Sequence, residues 1–482
     1  MFKKRTQTQE EFVMMSMEEM VPQAHLLRKV EKTIDLDFIN ELTQSLYSHD
    51  KGRHCIEPVI LFKIVLLQSL YGIKSMRATI KQCETDAAFR WFLGIPFGQS
   101  VPHYSTFSQN YRRRFAETDV FERIFETIIH QAIKHQLISG RDLFTDSTHI
   151  KANANKRKLK EDITTYVKER KVALEAEINQ IREELGKEGY EFEDHLESKA
   201  TKISTVDPDS GYYHRDDKEK GFMYLDHRTV DGLNNLIVDV HITPGNVHDS
   251  RPYLGRLHAI MNRYGFKVKQ VGLDSGYYSW EIMEACEALG IFSVIGYRRV
   301  NKSKDHKKFV YRDHEDVMVC PNGCVLPLQN IDRLGYKQYF DRKQCQGCPL
   351  LEQCTSNGKY RVIRRHVKAE VIDRSHERRL SPRGKALYGR RKTTVERSFA
   401  DSKQNHGYRY AIHRGLRKVQ HYAWLSCASQ NMKKIAILLC ERDQHRIVHH
   451  NQSIFYFIPR FFNLFLLQKK NAPRIMVHSS TV

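Results

Sequence analysis

The sequence predicts a mixed α/β protein with an all-helical N-terminal part and a cysteine-rich insert. Three observations carry that prediction. Apolar residues recur at helical spacing through residues 1–135, short apolar runs alternate with helical stretches from about residue 140, and five of the ten cysteines fall within residues 320–354. A chain of 482 residues is too long for one ordinary core, and 40% hydrophobic residues suffice to build two or three.

In the N-terminal part, Asp35 can cap a helix that buries Phe38, Leu42 and Leu46 at four-residue spacing. The run "EPVILFKIVLLQSLYG" has Pro58 at its first helical position and Gly72 just past its end. It is apolar nearly all round, which makes it the central helix of that domain. In "VPHYSTFSQNYRRRF", Ser105 can cap a short helix ending in Arg112, Arg113 and Arg114. That triplet reads either as a solvated helix end or as the phosphate-facing end of a helix-turn-helix-like element.

The pattern then changes. "DLFTD" reads as a strand, and Lys158–Leu185 as a long charged helix with an apolar seam of Leu174, Ile178, Ile181 and Leu185, inside a helical insert spanning 156–200. "GFMYLDHRTVDGLNNLIVDVHITPGN" reads as a β-hairpin turning at Asp231-Gly232. A helix over Tyr253–Tyr264, the strand "FKVKQVGLD", a helix over Trp280–Leu289 and the strand "IFSVIGY" complete a mixed sheet within a domain spanning 140–440. Residues 300–380 form a loop-rich insert without a core of its own. A basic helical region over Lys385–Asn405 and terminal helices over Val419–Glu441 follow, and an apolar tail occupies 441–482.

Charge narrows the partners. Lys and Arg number 78 against 57 acids, a net +21 with pI near 9.4, so the chain suits a polyanion: nucleic acid or an anionic membrane surface. The membrane option weakens, because "MFKKRTQTQEEF" is no secretory signal and "SIFYFIPRFFNLFLL" is short and broken by Pro459 and Arg460. The tail reads as a packing helix, or alternatively as an interfacial one. Clustered cysteines speak for a metal site in a reducing cytoplasm rather than for secreted disulfides.

Three acids stand out by position. Asp146 ends the first strand, Asp274 ends another in "QVGLDSGYYS", and Glu396 lies on the helical stretch "RRKTTVERSFADSKQNHGYRY". Carboxyl ends of strands gather at one sheet edge, and a helix packed over that edge can add a third carboxylate. Three such groups repel unless a cation neutralises them, and hard oxygen donors suit Mg²⁺ or Mn²⁺. Two such ions ~3.5–4 Å apart activate water or a 3′-hydroxyl and stabilise the leaving oxygen of a phosphodiester. The basic flank "DSTHIKANANKRK", with Lys151, would hold the DNA backbone. Asp142, Asp231, Asp239 and Asp249 read as strand-end, turn or cap residues, with Asp249 capping the helix after it. His149 and His248 read as hydrogen-bonded structural residues.

Cys320, Cys324, Cys345, Cys348 and Cys354 offer five candidates for a four-coordinate structural Zn²⁺. An insert lacking a core would need such a staple. Cys55, Cys83, Cys286, Cys427 and Cys440 read as small buried hydrophobes.

On "LFTDSTHIKANANK", "STVDPDSGYYHR", "VDVHITPGNVHDS", "VGLDSGYYS" and "VERSFADSKQNHGYRYAIHRGLRKVQHY", together with the helical block from Gly52 to Phe115, the chain resembles a bacterial insertion-sequence transposase of the DDE type. The resemblance runs from about Thr33 to Leu439. It implies an RNase H-like catalytic domain in which Asp146, Asp274 and Glu396 are the catalytic, Mg²⁺-binding triad. Relatives space Tyr, two residues, Arg, three residues, Glu, six residues and Lys. Glu396 and Lys403 keep the last spacing, so Lys403 is expected at a DNA phosphate. Tyr388 and Arg391 keep the first, but four residues separate Arg391 from Glu396. Arg391, Arg112, Arg113 and Lys151 are the further DNA contacts expected, and the resemblance favours Cys320, Cys345, Cys348 and Cys354 as zinc ligands.

The implied activity is binding of an element's terminal inverted repeats and target DNA, with Mg²⁺-dependent cutting and joining of strands. At least a dimer on double-stranded DNA and a cytoplasmic, nucleoid-associated location are expected with it. Two alternatives stand beside it: a domesticated, non-catalytic DNA-binding protein, and an RNase H-like nuclease on branched DNA.

Overall fold

The computed structural model describes residues 14–48, 50, 54–167, 171–193, 196–214, 219–297, 309–355 and 358–468. They fall into two compact units, one within 1–135 and 425–482, the other spanning 136–424.

The first unit is helical. Its central helix, Pro58–Leu70, starts at the proline and is buried nearly all round, as its even apolar distribution requires. Phe62 anchors an aromatic cluster, with ring centroids 5.7 Å from Phe107, 5.2 Å from Phe115 and 5.6 Å from Phe121. Ala87–Leu93 is closed at both ends by local chemistry: Asp86 accepts from the amides of Ala88 (2.9 Å) and Phe89 (3.0 Å), and Gly94 takes the left-handed conformation at φ +69. Tyr111–Phe115, which carries the arginine triplet, winds as a π-helical turn. Ser429 Oγ donates to the Leu66 carbonyl at 3.3 Å, tying the C-terminal helix to the central one.

The second unit is built on a mixed sheet. Strand β1 (Asp142–Lys151) is its axis; β2 (Leu159–Val167) and β3 (Leu196–Ser204) form a separate hairpin. β4 (Gly211–Tyr213), β5 (Gly221–Asp231), β6 (Ile237–Pro244), β7 (Gln270–Leu273) and β8 (Phe292–Ile295) complete the main sheet. β5 lies antiparallel to β1 on one side, with β4 and β6 both pairing along its far edge. β7 and then β8 lie parallel to β1 on the other side. Helices Ser250–Tyr264 and Trp280–Ala288 make the crossovers that parallel strands require.

Three expectations are corrected. The stretch expected as a helix from Lys158 to Leu185 opens as strand β2, because "EDITTYV" is rich in β-branched and aromatic residues whose strand preference outweighs the spacing of charges. Only Val172–Glu184 is helical; Leu174 and Ile178 of its seam are buried against Ile331.

The insert over 300–380 is not loop-rich. Its strands β9 (Val310–Arg312), β10 (Val317–Val319), β11 (Val325–Ile331), β12 (Tyr336–Tyr339) and β13 (Ile363–His366) form an antiparallel sheet with a core of Met318, Leu326, Tyr339 and Ile363. The expected hairpin is present, with Gly232 opening a turn that spans residues 232–236 and Asn235 at φ +57.

The boundary expected at 440 also moves. One helix runs from Leu416 to Gln468, and from Leu425 onward it belongs to the helical unit. Among the described residues no helix is long and apolar enough to cross a membrane.

Candidate active site

Register brings the first two acids together. β1 and β7 pair in parallel through Thr145 and Leu273, so Asp146 and Asp274 are the next residues on adjacent strands, which run ~4.8 Å apart. Asp146 does not end its strand as expected. β1 continues to Lys151 against β5, and only its pairing with β7 stops there. Asp274 turns the chain into the short helix Ser275–Tyr277, its Oδ1 accepting from the Gly276 amide. Gly296, following β8, packs against this turn: a side chain there would meet the Ser275 amide at 2.6 Å and the Tyr388 hydroxyl at 2.8 Å. Glycine is required for the close approach.

Glu396 comes from the helix Val395–Asn405, and a buried arginine holds that helix on the sheet. Arg228 lies directly opposite Asp146 across the β1–β5 ladder, so both side chains leave the same face. Its guanidinium is fully buried. It pairs with Asp226 at 2.7 Å and donates to Ser398 Oγ at 3.1 Å and Ser402 Oγ at 2.7 Å on the Glu396 helix. The same group sits 4.7 Å from the Phe399 ring centroid. Arg228 is therefore a positioning residue, invisible to motif reading because Arg in a strand carries no signal of what it reaches.

Arg391 is the cation of the site. Expected at a DNA phosphate, it is instead buried: its side chain is 5% exposed, donates to Asp146 at 2.8 Å and lies 3.9 Å from Glu396. The one-residue change in its spacing to Glu396 is taken up by a 3₁₀ turn at Arg391–Thr393, which aims the guanidinium inward. Its Nη1 also reaches the Tyr388 hydroxyl at 3.4 Å. Despite this partner, burial first, then Asp274 and Glu396, push the Asp146 carboxyl up to about 6.

A fourth acid joins them. Asp249, expected to cap the following helix, makes no capping bond. It accepts from Ser147 Oγ at 2.6 Å, and a side chain at Gly276 would collide with its Oδ2. Between these acids lies the Tyr277 hydroxyl, buried and without a hydrogen-bond partner. Burial, followed by Asp249, Asp146 and Asp274, holds it well above the usual phenol range. The acid at the start of a helix looked like a cap, and only the fold reveals its second neighbour.

The remaining candidates disperse. Lys403 donates to Thr148 Oγ1 at 2.5 Å, close beside the acids. Lys151 pairs with Glu219. Arg112 and Arg113 are exposed on the helical unit, while Arg114 bonds Asn110 at 2.8 Å. His248 contacts Ser250 Oγ at 2.8 Å, and the His149 ring lies tilted against Tyr213, centroids 3.9 Å apart. Asp142 pairs with Arg390, Asp239 with Arg256, and Asp231 accepts from Ser139, Gly140 and Leu233, so these three hold structure.

The donor chemistry of the acidic cluster fits a hard divalent cation. Among the described residues, however, no three His, Cys, Asp or Glu side chains converge as a metal site. The positive charge between Asp146 and Glu396 is Arg391. The cysteines of the insert (Cys320, Cys324, Cys345, Cys348 and Cys354) line one cavity of about 40 Å³. Desolvation, followed by the thiols of Cys320 and Cys348, raises the Cys324 thiol.

Residues 15–113 match the transposase domain family, and residues 319–436 match the transposase DDE domain family. The second match contains Glu396, Lys403 and the five cysteines but not Asp146 or Asp274. No curated protein matches in sequence. The solved Mos1 transposase paired-end complex with left transposon end is similar at 12% identity over 52% of this chain. The chain spans 62% of that structure's length, and the TM-score of 0.16 adds nothing to the fold described above. The chain thus carries a match to a transposase domain toward one end and a match to a transposase DDE domain toward the other, the two together covering less than half of its 482 residues.

Proposed function

We propose that the chain cuts and joins DNA strands at the ends of its own mobile element, using an RNase H-like domain. The observation that carries this reading is the register that sets Asp146 beside Asp274 under the helix bearing Glu396. The strand order, with one antiparallel hairpin beside a parallel trio, is the arrangement an RNase H-like sheet requires. A Mg²⁺ or Mn²⁺ held by Asp146, Asp274 and Glu396 would supply Lewis-acid activation of water or a 3′-hydroxyl and would neutralise the leaving oxygen.

The protein's own groups do the rest. Arg228 fixes the helix that presents Glu396, and Ser147 fixes Asp249 next to the Asp146–Asp274 pair. Arg391 neutralises Asp146 and Glu396 before substrate arrives. Lys403, on the same helix face as Glu396 and two turns further on, is placed to hold a backbone phosphate. The net +21 supports a DNA partner. Arg112 and Arg113 extend phosphate contact to the helical unit. Joining two ends calls for at least a dimer on DNA. We also assign a structural Zn²⁺ to Cys320, Cys345, Cys348 and Cys354, on the thiol donor set and the C-x-x-C pair.

The test uses duplex DNA carrying the repeats that flank the gene, with Mg²⁺. Asp146→Asn, Asp274→Asn and Glu396→Gln should each abolish strand cleavage while gel-shift binding of the same DNA persists. Continued cutting by all three would sink the assignment.

A further inference from the structure

Two buried phenols meet edge to face near the acids, and neither hydroxyl finds a hydrogen-bond partner among the described residues. Tyr277 is 1% exposed and Tyr253 3%, with ring centroids 5.4 Å apart. They differ in what surrounds the hydroxyl. After burial, Asp249, Asp146 and Asp274 in that order raise the Tyr277 phenol, whereas at Tyr253 the further group is the Cys286 thiol. Tyr277 therefore faces the acids and Tyr253 does not.

Each acid is turned to another donor. Asp249 Oδ1 accepts from Ser147 Oγ at 2.6 Å, Asp146 from the Ser147 amide and from Arg391, both at 2.8 Å, and Asp274 from the Gly276 amide. The Tyr277 hydroxyl is thus stranded beside three acceptors that point elsewhere. A buried hydroxyl left unbonded costs stability, and phenylalanine would fill the same space without that cost. The metal-free chain gives this hydroxyl nothing to do.

A divalent cation supplies the reason for a second arrangement. Its charge would draw carboxylate oxygens toward itself, so that Ser147 and Arg391 no longer set their directions alone. Asp249 bears on the phenol most strongly of the three acids. Its Oδ2 lies over Gly276, the residue before Tyr277, where there is no side chain to intervene. A carboxylate accepts several hydrogen bonds at once, so Asp249 can keep Ser147 and add the phenol.

We propose that Tyr277 is a positioning residue, its hydroxyl the donor that takes up Asp249 when a divalent cation enters the acid cluster. This rests on the reading that Asp146, Asp274 and Glu396 hold such an ion. The hydroxyl then acts on the cation through Asp249, as the outer hydrogen bonds of metal sites act through the carboxylates they orient. Tyr253, in edge contact with Tyr277 but away from the acids, is the internal control.

The test titrates Mn²⁺, a hard ion that the thiols of the insert hold poorly, into the full chain without DNA by calorimetry. Tyr277→Phe should bind it at least roughly tenfold more weakly than wild type. Without metal, the same variant should raise the folded-to-unfolded ratio roughly fivefold in denaturant unfolding, because an unbonded hydroxyl has gone. Tyr253→Phe should share that gain in stability and keep the wild-type Mn²⁺ affinity. In an Asp249→Ala background, Tyr277→Phe should change the affinity no further. Equal Mn²⁺ affinity of wild type and Tyr277→Phe, equal weakening by both phenylalanines, or an undiminished effect of Tyr277→Phe beside Asp249→Ala overturns the proposal. A loss of metal-free stability in Tyr277→Phe also overturns it, by showing the hydroxyl already bonded. Mn²⁺ binding that is lost in Asp274→Asn but indifferent to Tyr277 defeats this inference alone. Binding untouched by Asp274→Asn defeats the triad reading, and no binding by wild type defeats both.

Discussion

Arg228→Met probes how the third acid is held. Arg228 and Asp226 are both fully buried, and the methionine removes the charge while keeping much of the volume. Asp226 then stays buried without its ion-pair partner, and Ser398 and Ser402 lose their charged donor. Breaking a buried pair from one side costs about 3–5 kcal/mol. The double variant Asp226→Leu/Arg228→Met removes both charges and should recover most of that loss, because an apolar replacement of a buried pair is neutral or stabilising.

Stability and position separate at this point. The hydroxyl bonds to the Glu396 helix are absent in both variants, so hydrogen exchange of the Val395–Asn405 amides should stay faster than wild type even in the double variant. Denaturant unfolding gives the first number and exchange mass spectrometry the second. A single-variant loss under about 1 kcal/mol would refute the claim that the buried Arg228 is the main partner of Asp226. Recovery of helix protection in the double variant would refute the claim that Arg228 positions Glu396.

Two further outcomes follow from the site and the insert. Asp146 binds its proton more tightly in the folded chain than in the unfolded one, so its own contribution to metal-free stability should be greatest below about pH 4, fall by up to about 3 kcal/mol as pH rises to about 6, and then level off. The wild-type minus Asp146→Asn difference in denaturant unfolding isolates that slope, and a flat difference refutes it. If zinc is held by Cys320, Cys345, Cys348 and Cys354, purified protein carries about one equivalent by elemental analysis. Stripping it with a chelator should then loosen residues 342–354 in exchange measurements while β10–β12, which have their own core, keep their protection; a zinc-free protein would remove the assignment.

Much of the fold was legible because the signals were local. Pro58 and an all-round apolar run define a buried helix whatever surrounds it, and the alternation after Asp142 defines strands. Errors arose where two local signals competed. In Lys158–Leu185 a charge pattern suited to a helix overlay β-branched residues, and tertiary pairing with Leu196–Ser204 decided for the strand. The insert over 300–380 misled for a related reason. Its strands are only three to seven residues long, and its core depends on Tyr339 and Ile363, which only pairing brings next to Met318 and Leu326.

The site was legible as positions but not as a balance of charge. The end of a strand points to Asp274, the apolar run before it points to Asp146 although that strand continues to Lys151, and a helix two turns long between Glu396 and Lys403 is visible in spacing alone. Nothing local says that Arg391 turns inward, since the 3₁₀ turn that aims it comes from how Arg390 is held by Asp142 and the Gly232 carbonyl. Nor does sequence say that Asp249 abandons its helix for Ser147. Both facts bear on the same physical problem. Asp249, Asp146 and Asp274 crowd one buried phenol and repel one another, and Arg391 sets a positive charge against Asp146. Were the proposed triad to hold a divalent ion, that ion would have to displace or share with the guanidinium that pairs with Asp146, and Arg391 would bear on its affinity alongside the carboxylates.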